Sequence, residues 1–148
     1  MPKIRITKEF TFEMAHALWN YDGPCRNIHG HSYKMYVTVI GEPLNDPENP
    51  KHGMVIDFTD LKRIVNQEVV NKLDHAFMIS KKAPAQAIKN LEQMFEKQVF
   101  TDYQPSVENM LLDFAERIIK QLPENVKLYS LRLHETATAY AEWFAEDQ

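Results

Sequence analysis

His29 and His31 stand one residue apart in the stretch CRNIHGH, and Cys25, the only cysteine of the chain, lies four positions ahead of the first of them. Residues i and i+2 of a strand point to the same face, so a strand through this stretch puts both imidazoles side by side. Gly30 between them lets the backbone bend or approach a ligand closely. His16 ends ITKEFTFEMAH on its alternating face. A hairpin pairing the two stretches brings all three imidazoles to one end of a sheet. Three neutral imidazoles suit zinc and leave a fourth tetrahedral position for water or substrate, the pattern of a catalytic rather than a structural site. Any one of these histidines alone reads as a strand-end hydrogen-bonding group; the H-x-H pair with a third on the facing strand favours the metal.

Cys25 adjoins Arg26 and stands a short loop from the expected ion. Both cations favour thiolate over thiol, which would let Cys25 act as a general base near neutral pH. It reads equally as a fourth zinc ligand that closes the site, or as a passive buried thiol. In KLDHAFMI, Asp74 precedes His75; a carboxylate beside an imidazole fixes its tautomer and supports proton relay, although such a dipeptide is also a common helix terminus. With Cys25 the pair also makes a Cys, His, Asp set like that of thiol hydrolases, which have no need of three metal-type histidines. Glu135 shares a face with Leu131 and Leu133, where a carboxylate needs donors; two N–H groups of a flat heterocycle would provide them. His52 and His134 join no such set and read as surface or structural.

The elements that must position these groups are legible as periodicities. Ile4, Ile6, Phe10, Phe12, Met14 and His16 share one parity, as do His31, Tyr33, Met35, Val37 and Val39, giving two arms of an antiparallel hairpin. Their connection, ALWNYDGPCRNI, is too long for a tight turn and is expected to line or cover something. Leu61, Ile64, Val65, Val69 and Leu73 mark an amphipathic helix after a cap at Asp57 or Thr59. Met110, Leu111, Phe114, Ala115, Ile118 and Leu122 mark another, with Ser106 as its N-cap. Between them Ile88, Leu91, Phe95 and Val99 form a weaker stripe, read as a short helix in an insertion. KLYSLRLHE and TATAYAEWF close the chain as a second antiparallel pair. Two helices on one face of an antiparallel sheet give an α+β domain.

Residues 1–148, a 17.3 kDa chain, make one domain. A formal charge of −4 gives no global basic field, which argues against sequence-independent nucleic-acid or anionic-membrane binding. No apolar run approaches the ~18 residues a membrane helix needs, and MPKIRITKEF does not resemble a signal peptide, so a cytoplasmic protein is expected.

FEMAH, CRNIHGH, MVIDF, KLDHAF, PSVEN and HETATA, in this order from about residue 7 to 140, resemble the 6-pyruvoyl-tetrahydropterin synthase and 6-carboxy-tetrahydropterin synthase family. The resemblance implies a tunnelling fold: a four-stranded antiparallel sheet with two helices on one side. Three such sheets join into a barrel, and two trimers stack into a homohexamer with sites at subunit interfaces. It also implies zinc on His16, His29 and His31, a catalytic thiol at Cys25, a catalytic Asp74–His75 pair and a pterin-anchoring Glu135. Ser106 and Glu108 of PSVEN fall at substrate-binding positions, with Val107 where the family usually has a second hydroxyl residue. The implied substrate is 7,8-dihydroneopterin triphosphate. The three residues between Cys25 and His29, and the ETATA stretch, look more like the 6-carboxy branch, on the route to queuosine, than the pyruvoyl branch. Arg26 and Lys34 are positioned as candidates for the triphosphate, and the piece around Ala83 to Tyr103 is longer than in typical members.

Overall fold

The computed structural model describes residues 2–148. Its long hairpin is β1 (Ile4–His16) and β2 (His29–Gly41), paired antiparallel over their whole length so that His16 faces His29 and Met14 faces His31. After a surface connection, Asp57 caps α1 (Phe58–Val65) by accepting from the Thr59 N–H at 2.8 Å. The helix runs on through a π-helical turn (Asn66–Val70) into α2 (Asn71–Leu73), then β3 (Ala76–Ser80). The insertion holds α3 (Ala85–Leu91) and β4 (Gln98–Thr101); α4 (Val107–Ile119), β5 (Val126–His134) and β6 (Tyr140–Phe144) complete the chain.

The sheet has six strands in the order β4-β3-β1-β2-β5-β6, not the four expected. β1, β2, β5 and β6 form the anticipated antiparallel set, but β3 runs parallel to β1 and β4 parallel to β3. β3 escapes a search for alternating patterns because all five of its residues are buried. Its Met78 packs into the main core while Phe77 and Ile79 join a second apolar cluster on the opposite face with Ile88, Leu91 and Phe95. Phe77 stacks on Phe95 at 5.0 Å. The insertion therefore covers the face of β3 that the main helices leave open. Only its first part is helical: Phe95 and Val99, read into one helical stripe, lie beyond α3, and Val99 is in β4.

The main core holds Phe12, Tyr33, Met35, Val37, Leu131 and Leu133 from the sheet against Leu61, Val65, Val69, Leu73, Met110, Phe114 and Ile118 from the helices. Tyr103 and Arg117 both bond Asp113, and Arg117 also donates to the Glu68 carbonyl of the π-helical turn at 3.3 Å, tying the end of the insertion to both long helices. No helix among the described residues is long and apolar enough to cross a membrane.

Candidate metal centre

The hairpin register delivers three imidazoles to one end of the helix-covered face. His16 and His29 are directly opposite across β1 and β2, and His31 follows two residues along β2. Their ring centroids lie 4.5 to 5.2 Å apart. The turn at the end of β5 adds Glu135, whose Oε1 is 3.3 Å from both His16 Nε2 and His31 Nε2. The ligand atoms of these four residues all lie within 4.8 Å of one another.

Backbone carbonyls set the tautomers. His16 Nδ1 is 2.8 Å from the Pro105 carbonyl, and His29 Nδ1 is 2.6 Å from the Asn27 carbonyl. A carbonyl only accepts, so each Nδ1 carries the proton and each neutral ring presents a lone pair on Nε2. Those two Nε2 atoms face each other at 3.0 Å. Two acceptors at that separation repel unless a cation or an added proton lies between them. Tetrahedral zinc ligands at about 2.0–2.1 Å from the metal are themselves about 3.3–3.4 Å apart, near the spacing found here. His31 Nε2 is buried without a hydrogen-bond partner among the described residues; Glu135 comes close but out of hydrogen-bonding alignment. Burial, partly opposed by Glu135, holds His31 below the usual histidine value, which keeps its lone pair available. The donor set therefore fits a divalent ion, with imidazoles oriented by carbonyls as metal-ligating histidines commonly are.

Cys25 lies in a short 3₁₀ turn (Pro24–Arg26) held to the end of β1 by the Leu18 N–H donating to the Cys25 carbonyl at 3.0 Å. Its thiol is half-buried and free, and stands outside the four-donor group. Burial first, then Glu135 and Cys25, push the Tyr33 phenol well above its ordinary value.

Asp74 and His75 meet each other but not the imidazoles. Asp74 Oδ2 is 3.1 Å from His75 Nδ1, and Asp74 Oδ1 accepts from the Glu13 N–H at 2.9 Å. That backbone bond, with help from His75, holds the Asp74 carboxyl below the usual carboxylate range. His75 adopts a left-handed φ of 62°, uncommon for a non-glycine residue. It borders an open cavity of about 360 Å³ shared with His31, Glu13, Ser32 and Phe95 of the insertion. Ala15 and Gly30, also at this cavity, alternate with the core-facing Met14, His29 and His31 and so belong to the opposite face of the sheet.

The remaining expected site residues are not among the four donors. Ser106 caps α4 by accepting from the Asn109 N–H at 3.3 Å. Glu108 is exposed in the first turn of α4, beside a hollow lined by Trp143 and Phe144. Lys34 pairs with Glu9 at 3.2 Å, and Arg26 is exposed. His52 accepts from the Asp46 N–H, and His134 lies between Tyr36 and Tyr140. The roles of the Asn27 and Pro105 carbonyls had no signal in residue type; the alternation His29, His31, Tyr33 could have flagged Tyr33.

The model of the 6-pyruvoyl tetrahydropterin synthase family matches residues 5–146. A 6-carboxy-5,6,7,8-tetrahydropterin synthase of Haemophilus influenzae is 34% identical over 141 residues, 94% of this chain and 97% of its own. A dihydroneopterin monophosphate aldolase of Pyrococcus furiosus is 34% identical over 137 residues, 90% of each chain. The solved 6-pyruvoyl tetrahydropterin synthase of Caenorhabditis elegans superposes with a TM-score of 0.68 at 24% identity, covering 98% of this chain and 97% of its own. With nearly its full length matched, this chain belongs to the 6-pyruvoyl tetrahydropterin synthase family of pterin enzymes.

Proposed function

We propose that this protein is a zinc-dependent lyase that converts 7,8-dihydroneopterin triphosphate and water to 6-carboxy-5,6,7,8-tetrahydropterin, triphosphate and acetaldehyde, in the cytoplasm and on the route to queuosine. The observation that carries the reading is the pair of facing Nε2 lone pairs of His16 and His29 at 3.0 Å, beside the unpartnered Nε2 of His31. Zinc held there would supply Lewis-acid polarisation of the substrate's side-chain oxygens.

The chain's own groups would do the rest. His16, His29 and His31 hold the metal through Nε2. Glu135, 27% exposed at the end of β5, turns to the pterin ring and accepts two of its N–H groups. Cys25 Sγ takes a proton from a side-chain carbon, and the Nε2 of His75, its Nδ1 engaged by Asp74, exchanges a proton with the same side chain. Ser106 and Glu108 are ascribed to α4 capping and its first-turn electrostatics before any substrate contact. That Asp74 and His75 make no contact with the imidazoles among the described residues supports sites shared between copies in a homohexamer of barrel-forming trimers. The short edge strands β4 and β6 would then be covered by neighbouring sheets.

Purified zinc-loaded protein incubated with dihydroneopterin triphosphate, followed by product mass and aldehyde assays, tests this. Acetaldehyde with triphosphate release is expected. Triphosphate release with the carbon chain intact would assign the pyruvoyl reaction. A phosphorylated two-carbon hydroxyaldehyde would assign the aldol cleavage named for the Pyrococcus furiosus relative. Activity that survives chelation would point to a thiol hydrolase, and no turnover with zinc bound would leave a structural zinc protein.

A further inference from the structure

Two buried side-chain polar atoms, His31 Nε2 and the Tyr33 hydroxyl, lack a hydrogen-bond partner among the described residues. The metal centre accounts for the first and leaves the second unexplained. Tyr33 is 1% exposed and follows His29 and His31 on the same face of β2. Its ring stacks on Phe12 at 5.0 Å and meets the edges of His31 at 5.5 Å and His16 at 6.2 Å. Packing alone asks only for the ring, which phenylalanine would supply. The hydroxyl adds a desolvation cost of about 1–3 kcal/mol when nothing accepts from it. Tyr33 follows His31 along the face of β2 on which Glu135 comes within 3.3 Å of the His31 Nε2.

We propose that Tyr33 is a further substrate-contacting residue, whose hydroxyl donates a hydrogen bond to a side-chain oxygen of the bound pterin. This rests on the pterin-lyase reading above. The alternative acceptor within the chain is the Glu135 carboxylate, whose bond to Tyr33 would serve pterin-ring binding in general. A substrate oxygen as acceptor makes Tyr33 read the polyhydroxylated side chain and ignore the ring. The pterin's hydroxyl-bearing carbons are thereby held next to the imidazoles and the thiol.

Tyr33→Phe tests this in the zinc-loaded protein, titrated by pterin fluorescence with two unreactive probes. Oxidised neopterin keeps the side-chain hydroxyls, and 6-methylpterin lacks them. We expect neopterin to bind about tenfold more weakly to the variant, the effect of one hydrogen bond, and 6-methylpterin to change less than about twofold. The thermal midpoint of the unliganded variant should hold or rise, because an unpartnered buried hydroxyl is gone. Equal weakening of both probes, no weakening of either, or a fall in the unliganded midpoint would overturn the assignment. If wild-type protein prefers neopterin but turns over no substrate, the lyase reading fails and Tyr33 keeps its role as a side-chain reader. If it binds neither pterin, both fail.

Discussion

The imidazole cluster lies on the helix-covered face of the sheet, with His16 1% exposed and two of its rings aimed by backbone carbonyls. The Asp74–His75 pair lies at the end of α2 with His75 78% exposed, aimed by one carboxylate and one strained backbone angle. The first is formed within one chain, by three histidines of the hairpin and Glu135. The second borders an open cavity and has no hydrogen bond to Cys25 or to the imidazoles among the described residues. Rigidity falls on the donors that could hold a metal at fixed distances, and exposure on the pair proposed to exchange a proton with substrate.

That contrast can be broken by substitution. His31→Ala should have the largest effect: zinc affinity, read by competition with a chelator, should fall by more than the roughly 10–100-fold that loss of an outer partner costs. Unchanged affinity would show that the cluster is not the metal site. Cys25→Ala should keep its zinc and lose about 10²–10⁴-fold in turnover; zinc lost along with activity would make the thiol a ligand. Asp74→Asn should keep its zinc and lose about 10²-fold in turnover. If copies share sites, refolding Cys25→Ala and Asp74→Asn chains together should restore activity that neither has alone.

Asp74 also carries a pH signature. Its folded-state carboxyl is held below the ordinary carboxylate value by the Glu13 N–H. A depressed group stabilises the fold above its unfolded value of about 3.9 and ceases to as pH falls through its folded value. The stability gap between wild type and Asp74→Asn should therefore be full at neutral pH and close in acid below about pH 4, as followed by thermal unfolding. A gap that widens in acid would contradict the sign. Ser106→Ala should have the smallest effect: about 1 kcal/mol of stability from the lost cap, with substrate affinity unchanged. A large rise in KM without loss of stability would restore Ser106 as a substrate contact.

Much of this arrangement is legible in the sequence. The hairpin follows from the alternation of Phe10, Phe12, Met14 and His16 against His31, Tyr33, Met35 and Val37, because one face of those strands is buried and the other is not. That same alternation fixes which histidines converge. β3 was hidden because burial on both faces erases alternation, and β4 because four residues carry too short a pattern. The carbonyls of Asn27 and Pro105 were hidden because every residue type has a carbonyl; only chain path decides which ones reach His29 and His16. Glu135 was legible as a carboxylate on a buried face in need of donors, but its approach to two imidazoles depends on where the turn after β5 ends.

The most direct test of the centre is the X-ray absorption fine structure of the zinc-loaded protein. We expect three nitrogen scatterers at about 2.0–2.1 Å completed by oxygen, a set that His31→Ala reduces and Cys25→Ala leaves intact. A sulfur scatterer at about 2.3 Å that disappears in Cys25→Ala would make the thiol a permanent ligand and contradict its assignment as the base.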